Sequence, residues 1–176
     1  KGFGMPAGLG VMIVSPRALA KAEYLQKKKV SIGSYHSFTS LFSSVKKFQT
    51  PDTPNVFAIY LLDKVLKQFL KIGISKIRED TEYKAEMMYD FFDKSEEFEP
   101  LVKDHSLRSK TTLVISVKDG SKRLLEFLSS HKLILGQGYG ERAEQDIRIA
   151  NFPALSTDDV QRLIFHLKKY ARASRG

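Results

Sequence analysis

Apolar and polar positions follow two different periods along the chain. Residues 9–14 form a nearly unbroken apolar run from Leu9 to Val14, behind a glycine-rich stretch. That pattern predicts a buried strand of a parallel sheet covered on both faces. Ser15-Pro16 supplies an N-cap and a first-turn proline for a helix to about Lys28, with Leu19, Ala22 and Leu25 along one face. Residues 31–50 are rich in Ser and Thr without a period and read as a long loop, the kind that is often functional. Thr53-Pro54 starts the next helix by the same cap-plus-proline logic. Its apolar positions (Val56, Ile59, Tyr60, Leu62, Val65, Leu66, Phe69, Leu70) leave little face for water, so much of this helix is expected to be buried. Gly73 closes it, and a second helix follows over about 75–93 with Ile77, Met87, Met88, Phe91 and Phe92 inward.

A polar segment at 94–110 marks a domain boundary, giving residues 1–95 and 96–176. Beyond it, residues 111–117 are β-rich, 119–130 helical, and 133–135 a short strand ended by Gly136-Gln137-Gly138-Tyr139-Gly140, a turn or mobile loop. Residues 146–150 form another strand. Ser156-Thr157-Asp158-Asp159 is a capping box, and the helix behind it turns Val160, Leu163, Ile164 and Leu167 inward. The second part is therefore a small α/β layer with antiparallel pairing.

Composition narrows this picture. The chain has 176 residues, 42% of them hydrophobic and 28% charged, enough to build a core under a solvated surface. It opens Lys1-Gly2-Phe3-Gly4 without an initiator Met, and is expected to be truncated or internally started. There is no cysteine, which excludes disulfides, thiolate metal sites and a thiol nucleophile within these residues and fits a reducing cytoplasm. No apolar run is long enough to span a bilayer. The formal net charge of +9 raises a nucleic-acid-binding module as an alternative. The lysines are scattered among acids, however, and the clearest strands are aliphatic rather than aromatic and basic. A purely structural module is the plainer alternative. The histidines (His36, His105, His131, His166) have no ligand-like spacing, and no metal site is expected.

Three places could carry chemistry. Four glycines and a proline fall in the first ten residues, and a backbone without Cβ atoms lets a ligand approach. Lys1 at the mouth of that loop could be desolvated and form a Schiff base, although a lysine beside glycines is usually a surface residue. Thr53, where a helix begins, could join the free N–H groups of the first turn in holding an anion, although capping alone would explain it. Arg148, between Ile147 and Ile149 on a strand, projects to the face opposite theirs. It could grip a carboxylate in a bidentate fork, or simply meet solvent.

In this order the three resemble the class V aminotransferases, and among them the phosphoserine aminotransferases most closely. The resemblance covers nearly the whole chain. In that family a lysine before a stretch like Phe3-Gly4-Met5-Pro6-Ala7-Gly8-Leu9-Gly10 holds pyridoxal 5'-phosphate, which places Lys1 as the catalytic and cofactor-binding lysine. A Thr-Pro element before a long helix with an aromatic pair matches Thr53-Pro54 to Ile59-Tyr60. Its threonine contacts the cofactor phosphate of the neighbouring subunit, so Thr53 is implied first and Thr50 second. An arginine that binds the substrate α-carboxylate matches Arg148, and Asn151 matches a family asparagine. The resemblance implies the C-terminal half of a fold-type I transferase: the end of a large, mostly parallel-sheet domain plus a small α/β domain with an antiparallel sheet. It further implies amino-acid and 2-oxo-acid substrates, a homodimer sharing its active sites, a cytoplasmic enzyme of serine biosynthesis, and neither nucleic acid nor membrane as partner. The family's preceding half supplies the other cofactor contacts, so this chain alone is not expected to transaminate. A cysteine desulfurase is disfavoured by the missing cysteine. An alanine–glyoxylate or serine–pyruvate aminotransferase remains the alternative within the family.

Overall fold

A computed structural model describes residues 2–33 and 37–173. The chain divides into two compact units, residues Pro6–Asp63 and the remainder.

The Pro6–Asp63 unit contains α1 (Pro16–Lys27) and α2 (Phe38–Val45). Ser15 caps α1 as expected, accepting from the Ala18 N–H at 3.2 Å. Helix α2 corrects the reading of 31–50 as loop. Ser37 accepts from the Ser40 N–H at 3.3 Å, and Phe38, Leu41, Phe42 and Val45 share one face at helical spacing. They line an apolar groove with Met12 and Leu19. A second correction concerns residues 9–14, which form no strand; Ile13 is 98% exposed. A strand needs a neighbour to pair with, and the strands of the described residues pair only with one another.

Helix α3 (Val56–Ile72) runs across the division between the units and meets α4 (Ile74–Phe92) at Gly73. The expectation of a largely buried α3 is overturned: none of its residues is buried, and Phe57 and Leu70 are 70% and 77% exposed. A helix apolar on most sides needs cover on most sides, and among the described residues no element provides it. Among the described residues no helix is long and apolar enough to cross a membrane.

The second unit is two-layered. Strands β1 (Phe98–Pro100), β2 (Thr112–Val117), β3 (Gly136–Gln137) and β4 (Asp146–Ala150) form one antiparallel sheet in the order β1-β2-β4-β3. Alternation along β2 sends Leu113, Ile115 and Val117 to one face; Ile147 and Ile149 of β4 meet them in register. That face carries α4, α5 (Ser121–Ser130) and α6 (Thr157–Ala173). Met88, Phe92, Leu124, Leu128, Val160 and Leu167 close a core that also holds Phe98. The capping box at the start of α6 forms in both directions. Ser156 Oγ accepts from the Asp159 N–H at 3.1 Å, and the Asp159 carboxylate accepts from the Ser156 N–H at 3.0 Å.

Two further expectations shift. Residues 133–135 are not a strand; pairing with β4 begins only at Gly136. The chain leaves α5 through Lys132 at φ +60°, and the Leu133 N–H still donates to the Leu128 carbonyl at 2.9 Å, so those residues complete the helix end. The polar segment 94–110 contains β1, an edge strand that tolerates Pro100. It is fastened by Arg108, whose guanidinium donates to both Asp93 oxygens at 2.7 and 2.8 Å.

Two buried polar side chains tie α4 to the segment that follows the C-terminal end of β4. The fully buried Asn151 donates from Nδ2 to the carbonyls of Thr81 and Lys110, both at 2.8 Å. Lys84 donates from Nζ to the carbonyls of Leu155 and Phe152 at 2.5 and 3.4 Å, and its burial pushes the amine's pKa below the ordinary lysine value. Asn151→Ala leaves two carbonyls without their amide partner, and is expected to lower stability by about 1–3 kcal/mol. A urea midpoint unchanged from the parent chain would show that the tie is not needed.

Candidate functional site

Strand alternation decides which side chains the sheet offers to solvent. The helix-free face carries Thr112, Val114 and Ser116 of β2 opposite Ala150, Arg148 and Asp146 of β4. Arg148 stands at its centre, half-buried, paired across the ladder with Val114 and Gly136. Its Nε donates to the Gln137 carbonyl at 2.5 Å, and its guanidinium carbon lies 3.7 Å from the centroid of the Tyr139 ring. Among the described residues no carboxylate pairs with it. With Nε engaged, the two terminal nitrogens remain as the fork that matches a carboxylate. Arg148 and Lys132 border a groove of about 410 Å³ with Ile134, Gly136, Phe152 and Leu155.

A second arginine lies nearby in a different state. Arg142 donates from Nε and a terminal nitrogen to the two Asp146 oxygens at 2.6 and 2.8 Å, and to Ser116 Oγ at 2.9 Å. The Asp146 side chain is buried, and its hydrogen bond raises the Arg142 pKa further. Arg142 is thus paired with an acid and held, whereas Arg148 has no acid partner among the described residues.

The segment carrying both is shaped by glycine. A Cβ on Gly138 would fall 2.3 Å from the Arg142 carbonyl oxygen, so only glycine fits. The stretch expected to be a turn or mobile loop is instead β3 followed by a 3₁₀ turn at Gly140–Arg142.

Lys1 lies outside the described residues. The segment behind it does not: Gly4, at φ +76°, packs against Ala154, where an added Cβ would meet the alanine Cβ at 2.9 Å. Residues near the start of the chain therefore touch the turn that ends β4. Thr53 and Thr50 belong to the Pro6–Asp63 unit, and both are exposed. Thr53 does not cap α3. The helix starts at Val56, and Asn55 is the cap, its Oδ1 accepting from the Ala58 N–H at 3.0 Å; asparagine outranks threonine in that role. Thr50 Oγ1 donates to the Asp52 carbonyl at 2.5 Å. The His131 and His166 rings lie tilted against each other with centroids 4.4 Å apart, and burial lowers the His166 pKa. No cluster of three metal-ligating side chains occurs among the described residues, and His36 lies outside them.

Sequence reasoning picked Arg148 and missed Tyr139 and Arg142. Neither has a local signal beyond its place in a glycine-rich stretch, because each acts through a partner on another strand.

This arrangement has relatives. The family model for aminotransferase class-V matches residues 1–155. The chain belongs to the class-V aminotransferases. Phosphoserine aminotransferase of Bacillus subtilis is 26% identical over 169 residues, covering 94% of this chain and 44% of the relative. That of Corynebacterium glutamicum is 25% identical over 166 residues, with 93% and 44% covered. The solved phosphoserine aminotransferase of Cytophaga hutchinsonii superposes with a TM-score of 0.88 at 40% identity, over 96% of this chain and 47% of that one. The pyridoxamine-pyruvate aminotransferase of Mesorhizobium loti shares the fold, with a TM-score of 0.83 at 23% identity over 100% of this chain and 45% of that one. The chain spans a little under half the length of these class-V relatives.

The two arginines are expected to separate by stability. Arg142→Ala strands the buried Asp146 carboxylate and should lower the thermal midpoint, because a buried charge without its partner destabilises a fold. Arg148→Ala should leave the midpoint near that of the parent chain. Circular dichroism melts in the reverse order would contradict the assignment of roles.

Proposed function

We propose that these residues form the carboxylate-reading part of a pyridoxal-phosphate-dependent aminotransferase acting on phosphoserine and 2-oxoglutarate. The observation that carries the reading is Arg148: a guanidinium fixed on a strand, without an acid partner among the described residues, in a chain 40% identical to a phosphoserine aminotransferase across 96% of its length. Residues 1–95 would close the large cofactor-binding domain and residues 96–176 would form the small one.

The residues present fit the cofactor's phosphate. Thr53 is exposed just ahead of a 17-residue helix, and the first-turn N–H groups of Val56 and Phe57 have no acceptor within that helix. A threonine hydroxyl, free N–H groups and the helix dipole together suit an anion. Thr50 has already committed its proton to Asp52, which favours Thr53 over it. Pyridoxal phosphate, when bound, supplies the electron sink that lets an amino group change carbon skeletons.

This chain's residues then have distinct tasks. Lys1 Nζ holds the cofactor and moves a proton at the substrate's Cα as general base and acid. Arg148 binds the α-carboxylate and so fixes which Cα bond faces that amine. Thr53 anchors a phosphate across the interface of a homodimer; the exposed apolar side chains of Val56, Phe57 and Tyr60 just beyond it suit a surface that another subunit covers. By this reading the 176 residues alone do not transaminate, since the other cofactor contacts come from residues that precede Lys1 in the family. The family likeness is also what points to serine biosynthesis and the cytoplasm.

Borohydride reduction of the holoenzyme, followed by peptide mass mapping, tests the assignment of the lysine. The phosphopyridoxyl mass is expected on the peptide containing Lys1. Its appearance on another lysine, or spread evenly over Lys21, Lys27 and the rest, would refute the reading.

A further inference from the structure

Arg148 is a long side chain on an open sheet face, where an unsupported guanidinium would sample many rotamers. Losing that freedom on binding weakens a contact, and fixing it beforehand strengthens one. Three features of the Gly136–Arg142 segment restrict it here. The Gln137 carbonyl accepts from Nε at 2.5 Å and sets the plane of the fork. The Tyr139 ring lies over the guanidinium at 3.7 Å although 74% of the tyrosine is exposed. The contact with the guanidinium is thus one that this exposed aromatic makes without being packed into the core. Gly136 sits beside the fork; a Cβ there would lie 3.2 Å from a terminal nitrogen of Arg148 and 3.5 Å from its guanidinium carbon. Gly136 has no positive φ, so the space that it leaves, not its backbone freedom, is what counts.

The ring is held in turn. The Arg142 N–H donates to the Tyr139 carbonyl at 3.1 Å, and Arg142 is clamped on Asp146 and Ser116. The neutralised arginine therefore anchors the turn whose tyrosine covers the charged one.

We propose that Tyr139 and Gly136 are positioning residues for Arg148. Tyr139 fixes the guanidinium plane by stacking and Gly136 leaves the room the fork occupies, so that the substrate carboxylate meets a preset pair of donors. This rests on the reading of Arg148 as the carboxylate-binding residue and adds to it the device that sets its aim.

The test combines kinetics of the holoenzyme with one spectroscopic signature. In steady-state assays with an amino-acid donor, Tyr139→Leu is expected to raise KM about two- to fivefold, the factor an exposed cation–π contact carries, with kcat unchanged. Tyr139→Phe keeps the ring face and should restore the parent KM. Gly136→Ala pushes the fork by a few tenths of an ångström with the ring still present, and should also raise KM. In this chain the Arg148 Nε–H resonance should show the tyrosine ring current, lose it in Tyr139→Leu and keep it in Tyr139→Phe. A parent-like KM in Tyr139→Leu and Gly136→Ala, beside a raised KM in Arg148→Ala, would overturn the positioning role and leave the carboxylate reading intact. A parent-like KM in Arg148→Ala would overturn both.

Discussion

The pairing of β4 with β2 is the constraint on which the rest of the second unit depends. Val114 opposite Arg148, and Ile115 opposite Ile147, fix a register in which successive residues part to opposite faces. A slip of one residue would bury Arg148 among Leu128, Val160 and Leu167 and expose both isoleucines. The hydrophobic effect thus aims Arg148 indirectly: burying Ile147 and Ile149 leaves the intervening arginine no other face. Asn151 and Lys84 then tie the far end of β4 to α4, so the strand that carries the arginine is anchored at a fully packed layer.

Electrostatics sorts the two arginines of the open face. Arg142 meets a buried aspartate in a bidentate pair, and its charge is spent on holding the turn. Arg148 meets a carbonyl and a ring, partners that orient a guanidinium without neutralising it. That contrast gives the site its chemistry more directly than the overall charge of +9 does, because most other lysines and arginines lie on solvated helix faces.

What was legible in the sequence was what is decided locally. The capping box at Ser156, the proline-led start of α1 and the outward face of Arg148 follow from spacing over a few residues, and all are present. Residues 9–14 and α3 depart from expectation for a shared reason: each is apolar enough to be buried, but burial is a property of partners, and the described residues do not supply them. Serines disguised α2, whose Phe38, Leu41, Phe42 and Val45 carry the helical period plainly. Polar composition hid β1, which is held by a long-range Arg108–Asp93 fork. Asn55 took the cap assigned to Thr53, a displacement of two residues that leaves the threonine free of a capping duty. Tyr139 and Arg142 could not be found by pattern, because their roles exist only once β3, β4 and β2 lie side by side.

In the proposed reading, the strand, the glycine-rich segment and the Arg148 guanidinium serve to hold an amino acid by its carboxylate while chemistry proceeds at Cα. The most direct measurement is a crystal structure of the holoenzyme with a bound amino-acid substrate analogue. The α-carboxylate is expected on the two terminal nitrogens of Arg148, within hydrogen-bond distance of both. A carboxylate held elsewhere, with Arg148 turned to solvent, would contradict it.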